Sequence, residues 1–394
     1  MHILIVPSWY PEDSSDVSGV FFRDQALALF KYGHKVGVIA PILKSLRGVL
    51  KSNNQKRSPL FENDEGIPTY RLHKYAALPR VPFGNYWIFR YAAKRLLKQY
   101  VTENGVPDVI HAHSVIYAGI VAEEMGRQMG VPVVITEHSS NFARKLFSPW
   151  QLKMAERSYA KAGACIAVSP ELGRLISAQM PLAKISWNWI PNVVADRFNK
   201  KTTSTCIRGG IRFLNLSLMT KNKGLGDLLC AFKKIADSDV SAELWLGGDG
   251  PSRSQLEKQA EDLGLKDRVT FLGMVSPDKV PDLFEQVNIM VISSHYETFG
   301  VVAAEALMAG VPVVATRCGG PECIIQKDDG ILVSVSDPVD LCRGMLAVAK
   351  NIEDFSSNDI SQRAYSRFSG EVIAQELTNI YDDLFRANSK LDMK

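Results

Sequence analysis

Short apolar runs alternate with longer stretches of helical period along almost the whole chain. Residues 2–6 read as a first buried strand, residues 20–32 as a helix closing at Gly33, and residues 36–39 as the next strand. Further runs at 109–112, 133–136 and 164–168 alternate with helical patterns at 116–129, 150–162 and 171–179. Short β-branched strands separated by helices of about 10–15 residues predict βαβ units and a parallel sheet. The pattern breaks near Pro191-Asn192, and residues 200–210 are polar and end in glycine, like a linker. A second alternation follows, with strands at 212–216, 242–246, 269–272, 289–292, 312–315 and 331–333. Its helices fall at 224–236, 252–263, 278–286, 301–309 and 338–350, and a long helical pattern at 370–385 closes the chain. The reading is an α/β chain with two doubly wound, Rossmann-like domains. They span residues 1–193 and 211–369, joined by a linker at 194–210, with residues 370–394 a helix packing back on the first domain. In such open sheets ligands bind outside the carboxyl ends of the strands, so functional residues are sought just after strands.

Composition narrows the class. The chain has 394 residues, 46% of them hydrophobic and 22% charged, enough for two or three soluble domains at the usual ~150 residues each. The longest apolar runs, such as 131–136 and 289–292, fall far short of the ~20 residues of a membrane span. The first residues lack a basic region and a long apolar segment, so they are expected to be a strand and not a signal peptide. Six cysteines without CxxC spacing read as reduced core thiols, which points to a cytoplasmic protein. The net charge of +4 divides unevenly, with +9 on residues 1–193 and −5 on the remainder. A basic first half suits a membrane surface or a phosphorylated acceptor; the plainer alternative is scatter between two domains.

The chemistry concentrates after the predicted strand at 289–292. A polar loop carries Glu297, Thr298, Phe299 and Gly300, and a helix opens near Val301 with Glu305 on its first turns. A helix N-terminus beside a glycine offers backbone N–H groups and a positive dipole end to a diphosphate. Two carboxylates flanking it can accept hydroxyls of a sugar and a ribose. The plain alternative is a helix cap beside an exposed glutamate. Lys223, in a loop before a helix, is a candidate counter-charge for a diphosphate. Gly247-Gly248-Asp249-Gly250-Pro251 turns from strand to helix but lacks the full G-x-G-x-x-G spacing. In the first half, Val17-Ser18-Gly19 opens a helix, where Gly19 lets backbone approach a phosphate. His111, His113 and His138 follow strands, positions where a lone histidine is ordinarily structural. No Asp-x-Asp follows a strand, and no His/Cys cluster has ligand spacing, so no metal and no cofactor are expected.

Glu297, seven residues, then Glu305, with Phe299-Gly300 between and Ala309-Gly310-Val311-Pro312-Val313-Val314-Ala315 after, resembles the donor motif of glycosyltransferase family 4. The resemblance covers almost the whole chain, densely over 212–335. It implies the GT-B architecture, two Rossmann-like domains facing each other across a cleft, and metal-independent glycosyl transfer with retained configuration. By resemblance Glu297 contacts the transferred sugar, Glu305 the nucleotide ribose, and the backbone of Phe299, Gly300 and Val301 the sugar and phosphate. Lys223 matches the lysine that neutralises the leaving diphosphate, Gly248 the turn near the base, and Gly273, Met274 and Val275 the backbone that binds the base. His138 matches a histidine near the transferred sugar, and His113 is either scaffold or acceptor wall. Asn192 matches the residue that caps the hinge. One position departs from the pattern: the family places an arginine five residues before the lysine, where this chain has Leu218. Arg317, Arg253 and Lys221 are conceivable substitutes.

The implied activity moves a sugar from a UDP- or GDP-sugar to a glycan or polyprenyl-linked acceptor in polysaccharide or glycoconjugate synthesis. Residues 73–101 are aromatic and basic. Phe83, Trp87 and Phe89 beside Arg80, Arg90, Lys94, Arg95 and Lys98 suit peripheral contact with the inner membrane face, or else a helix packed on the sheet with a solvated basic side. Nothing around them resembles a nucleic-acid module. Two rival readings are a sugar-nucleotide epimerase or hydrolase of the same architecture, and a non-catalytic sugar-nucleotide-binding subunit. Leu218 feeds the second.

Overall fold

The computed structural model describes residues 1–12, 16, 18–44, 61–77, 81, 83–199, 210–238 and 241–391. Most of the expected linker lies outside these, as do Val17, Arg80 and Cys206. The chain divides into two compact units, Met1–Val193 with Gly370–Lys394, and Val194–Ser369.

The first unit holds an eight-stranded sheet: β1 (His2–Pro7), β2 (Lys35–Lys44), β3 (Phe61–Asp64), β4 (Ile67–Tyr75), β5 (Val109–His113), β6 (Val133–Glu137), β7 (Ala164–Ala167) and β8 (Trp187–Trp189), in the order β3-β4-β2-β1-β5-β6-β7-β8. All pairs are parallel except β3 with β4. Helices α1 (Val20–Lys31), α2 (Gly84–Asn104), α3 (Ile120–Met129), α4 (Pro149–Tyr159) and α5 (Pro170–Gln179) cover it. The buried strands read as continuous apolar runs because both faces are covered.

The second unit holds β9 (Arg212–Leu216), β10 (Glu243–Gly247), β11 (Val269–Gly273), β12 (Ile289–Ile292), β13 (Val313–Thr316) and β14 (Gly330–Val333), all parallel, in the order β11-β10-β9-β12-β13-β14. Its helices are α6 (Leu225–Ser238), α7 (Arg253–Asp262), α8 (Val280–Phe284), α9 (Val301–Met308), α10 (Pro321–Ile324), α11 (Pro338–Lys350) and α12 (Ser357–Phe368). Numbered within the unit, this is the 3-2-1-4-5-6 order of a dinucleotide-binding fold, whose direction reverses between β9 and β12. Both sheets are Rossmann-like, as expected.

The last helix, α13 (Gly370–Leu391), packs on α1. Its Ile373, Ala374, Leu377 and Tyr381 form one buried stripe in the core that also holds Phe22, Ala26 and Leu29. The Ile373, Leu377, Phe22 and Leu29 side chains each contribute roughly 1.5–3 kcal/mol by this burial.

Several elements differ from expectation. The hairpin β3–β4 turns through Glu65 (φ 51°) and Gly66 (φ 96°), two positive φ values that fit a tight primed turn. β8 and α12 were likewise not predicted. The expected helix at 278–286 shortens to a 3-10 turn, Pro277–Lys279, running into α8, because Pro277 and Pro281 each withhold an N–H. Phe89, expected on a surface, is fully buried and stacks on Tyr117, 5.6 Å between ring centroids. Cys165, Cys318 and Cys342 are buried free thiols, whereas Cys230 and Cys323 are only half-buried.

Candidate functional site

In the second unit the switch point lies between β9 and β12, and the two loops that leave it carry the candidate residues. After β9 comes the 3-10 turn Lys221–Lys223, then Gly224 in the left-handed region (φ 59°). A side chain at Gly224 would place its Cβ 2.0 Å from the Ser293 carbonyl oxygen, so only glycine lets the two loops touch. The contact is stitched from both sides. Ser293 Oγ donates to the Lys223 carbonyl at 2.8 Å, His295 N–H to the Asn222 carbonyl at 2.8 Å, and Asn222 Nδ2 to the Tyr296 carbonyl at 3.0 Å.

This stitching places Lys223 Nζ 2.6 Å from Glu297 Oε1, with the two side chains 23% and 18% exposed. Ser294 Oγ donates to the same carboxylate oxygen at 2.7 Å. The Glu297 backbone is held by the strand-like segment after β13. Its N–H donates to the Cys318 carbonyl at 2.8 Å, and its carbonyl accepts from Gly320 N–H at 2.9 Å. Thr316 Oγ1 donates to the Ser294 carbonyl at 2.5 Å. A Cβ on Gly320 would lie 2.2 Å from the Phe299 carbonyl oxygen, so this glycine too fixes the loop. Thr298 is half-buried, and Phe299 is buried against Phe368, anchoring the loop from beneath.

Gly300 (φ 89°) caps α9 without a side chain, and the first turn closes on backbone, with Ala303 N–H donating to the Gly300 carbonyl at 2.8 Å. Val301 opens the helix, and Glu305 lies half-buried on its second turn. Glu297, Gly300 and Glu305 therefore border one helix start. Across β10, Gly248 (φ 125°) would bring a Cβ to 2.0 Å from the Ser217 carbonyl oxygen, and its N–H donates to the Gly273 carbonyl at 2.7 Å. The turn at Gly248 is thus joined to Gly273, which precedes exposed Met274 and half-buried Val275.

Leu218 is 56% exposed in the loop after β9. Of the three proposed substitutes, Arg253 comes nearest the glycine turn. Its Nη1 lies 3.5 Å from the Cβ position of Gly273, and it pairs with Asp249 at 3.3 Å and Glu257 at 2.8 Å. Lys221 is exposed and lines a recess of ≈ 210 Å³ with Asp227 and His295. Arg317 is exposed.

The first unit has its own switch point, between β1 and β5. Gly19 (φ 76°) starts α1 in the loop after β1, and Phe22 of that helix packs on His113 and His138, with centroids 4.8 and 4.9 Å apart. His113 Nδ1 and His138 Nε2 are 3.1 Å apart, so one imidazole donates to the other. His111 bonds Tyr381 Oη at 2.6 Å and Thr136 Oγ1 at 2.7 Å. Burial pushes His111 and His138 down to about 3; for His138 the neighbouring His111 adds to this and a contact with Asn192 opposes it. Burial likewise lowers His113 well below its ordinary value, with His111 and His138 adding to it. The three rings are neutral at pH 7 and act as hydrogen-bonding groups.

Sequence reasoning missed Glu137. Its carboxylate is fully buried and accepts from Val115, His138 and Ser139 N–H at 2.9, 2.9 and 2.8 Å, and from Tyr159 Oη at 2.8 Å. It fixes the backbone that carries His138. A carboxylate ending an apolar strand run was the available signal, since a charge is buried only where donors converge on it. Ser294, Thr316 and Gly320 were also missed. Among the described residues, no three His, Cys, Asp or Glu side chains are grouped to hold a metal ion.

Comparison with known proteins bears on the family and the fold. The sequence profile of Glycosyltransferase Family 4 matches residues 18–197, and that of Glycosyl transferases group 1 matches residues 211–351. The chain is 28% identical to the N-acetyl-alpha-D-glucosaminyl L-malate synthase of Bacillus anthracis, over 82% of this chain and 88% of that one. It is 23% identical to the alpha-monoglucosyldiacylglycerol synthase of Streptococcus pneumoniae, over 91% and 85%. Its fold is similar to that of Anabaena HepE in complex with UDP, with a TM-score of 0.73 and 18% identity over 97% of this chain and 100% of that one. Between them the two profiles take in both Rossmann-like units and the loop that carries Glu297, and the chain belongs to glycosyltransferase family 4, a transferase of GT-B architecture.

Proposed function

We propose that this glycosyltransferase moves a sugar from a nucleotide-sugar donor, a UDP-sugar first among the candidates, to a glycan or lipid-linked acceptor, with retained configuration and without a metal. The observation that carries the reading is the Lys223–Glu297 pair beside the Gly300 helix start at the β9/β12 switch point. A diphosphate entering there meets the ammonium and the first-turn N–H groups of α9. Lys223 then turns from Glu297 to the phosphate, and the released carboxylate accepts hydroxyls of the sugar. Glu305, one turn further on, takes the ribose in this reading.

The chemistry follows from this placement. The bond from the anomeric carbon to the diphosphate oxygen breaks, and its electron pair leaves on the phosphate. The acceptor oxygen bonds to the same face of the sugar and passes its proton to that phosphate. Retaining hydrolases instead set two carboxylates about 5 Å apart as acid and nucleophile. Here Glu297, released by Lys223 and still bonded by Ser294 Oγ, accepts the sugar's hydroxyls, which is a positioning role. Positioning and leaving-group stabilisation then supply the rate.

The complex of HepE with UDP supports a uridine donor. The relative named for a glucosyldiacylglycerol supports a lipid acceptor. A thermal-shift screen against UDP-, GDP- and ADP-sugars tests the donor, because a ligand that binds only the folded chain raises the midpoint. A shift with UDP-sugars is expected; none with any of the three counts against the reading. Exposed Leu218, where a second cation is expected, favours one alternative, a subunit that binds a sugar-nucleotide without turnover. Donor binding without product across varied acceptors would support that alternative.

A further inference from the structure

Lys223 lies between two points that a single residue holds. His295, on the loop after β12, donates its backbone N–H to the Asn222 carbonyl at 2.8 Å. Its ring reaches the other way, with Nε2 3.0 Å from Asp227 Oδ2 in the first turn of α6. A carboxylate only accepts, so Nε2 carries the hydrogen of this bond. Between the two contacts the ring passes beside Gly224, where a Cβ would lie 3.3 Å from His295 Nε2. The segment 222–227 is thus gripped on both sides of Lys223, once by the backbone of His295 and once by its ring.

The far end of this grip is itself anchored. Gln259 of α7 donates to the Gly226 carbonyl at 3.0 Å, and Leu228 N–H closes the first turn of α6 on the Gly224 carbonyl at 3.1 Å. The dipole of α6 favours the Asp227 carboxylate at that end. At the near end, His295 stands between Ser294, whose Oγ bonds Glu297, and Tyr296, whose carbonyl accepts from Asn222. One imidazole therefore ties the start of α6 to the loop that carries Glu297, and Lys223 lies within the tie. The ring and its partner carboxylate are 39% and 34% exposed, so their pairing adds little to global stability and acts locally.

We infer that His295 is a positioning residue for Lys223: with Asp227 it holds the backbone from which the ammonium reaches a diphosphate. The inference rests on the proposed function, in which Lys223 turns from Glu297 to the phosphate. That turn swings a long, flexible side chain and needs a fixed base, because a misplaced charge stabilises a leaving group less. His295 acts here through Lys223 and not on the donor.

The test is isothermal titration calorimetry of the full chain with UDP and UMP as probes. UDP carries the β-phosphate on which the leaving electron pair ends, and UMP lacks it, so the ratio of their affinities reads the cation at that phosphate. Lys223→Ala should weaken UDP about tenfold or more and leave UMP within about twofold. His295→Ala and Asp227→Ala should each weaken UDP about fivefold, again sparing UMP, and the two together should cost no more than either alone. His295→Gln, whose amide can donate to Asp227, should restore most of the affinity. In the Lys223→Ala background, His295→Ala should have no further effect. Unchanged UDP affinity in His295→Ala, equal losses for UDP and UMP, or a loss that adds in full to that of Lys223→Ala overturns the inference. If wild type binds no UDP, or Lys223→Ala binds it like wild type, the donor reading falls and this inference with it. If Lys223→Ala loses affinity and His295→Ala does not, this inference alone falls.

Discussion

Lys223 and Glu297 stand 74 residues apart in sequence and 2.6 Å apart in space, each on a loop leaving one of the two strands where the second sheet reverses its order. In the proposed function a donor diphosphate brings its negative charge to Lys223 in place of Glu297. Glu297→Ala should therefore lower turnover by roughly 10²–10³-fold, and Lys223→Ala should do the same mainly through kcat. Both should leave the fold intact, because a partly exposed pair is worth only about 1 kcal/mol. Steady-state kinetics beside thermal unfolding check this. Near-wild-type turnover of Glu297→Ala would remove the main claim.

The loops that hold this pair depend on glycines more than on side chains. Gly320→Ala puts a Cβ 2.2 Å from the Phe299 carbonyl oxygen, and Gly224→Ala puts one 2.0 Å from that of Ser293 at a positive φ. Each should cost roughly 1–3 kcal/mol, which in a domain of this size is several degrees of midpoint. Donor affinity should fall as well, since the displaced segments carry Glu297 and Lys223. A variant with a lowered midpoint and unchanged donor affinity would show that the loop geometry is not required for binding.

The sheet strands were legible where both faces are buried, as at 289–292, because a continuous apolar run of four residues bounded by polar loops reads as a buried strand. β3 and β4 were not. β3 is an edge strand whose Phe61 is half-exposed, and its Glu and Asp positions mimic a loop. Both donor-loop carboxylates were legible from the motif, but their ties were not. Nothing in one dimension says that Lys223 meets Glu297, although the switch-point rule would have paired their loops once the strand order was known. Glu137 was marked only by its place at the end of an apolar run; its partners were hidden because they are mostly backbone N–H groups, which leave no trace in residue types. Phe89 was misplaced by treating an aromatic cluster as one face. It lies two residues from Trp87, about half a turn around the helix, and the 3.6-residue period separates the two.

Glu137 binds three backbone N–H groups and the Tyr159 hydroxyl with one buried carboxylate. Glu137→Gln replaces an acceptor oxygen with an NH₂ group, which sets donor against donor. The expected cost is roughly 2–3 kcal/mol, read as a lower urea midpoint. If the His138 loop serves the reaction, kcat should fall in Glu137→Gln while the nucleotide-induced thermal shift is retained. Tyr159→Phe removes one of the four bonds and should show a smaller loss of the same kind.

Stability should fall as the solution turns mildly acid. His111 and His138 are held down to about 3 by burial, against 6.5 in the unfolded chain. The unfolded chain thus binds protons that the folded chain refuses, and stability is fully present above pH 6.5 and lost as pH falls from there toward 3. Each imidazole contributes a loss of about 1.4 kcal/mol per pH unit in that window. His111→Gln should flatten the slope between pH 6.5 and 4.5 by one imidazole's share in urea titrations. A variant with the wild-type slope would show that His111 does not titrate on unfolding.

Leu218 offers the most direct test of how the leaving group is stabilised. It is 56% exposed in the β9 loop that leads to Lys223, so an arginine there meets no packing barrier and few desolvation costs. If diphosphate departure is limited by a missing cation, Leu218→Arg should raise kcat about tenfold with a small change in thermal midpoint. Arg253, tied to Asp249 and Glu257 beside Gly273, is the cation that the glycine turn offers for that role. The two positions then compensate: Arg253→Ala should reduce kcat in the wild-type background and reduce it less in Leu218→Arg. Equal losses in both backgrounds would mean that Arg253 acts on the glycine turn and not on the departing phosphate. Lys223 would then be left with the N–H groups of α9 as the main source of positive charge at that point.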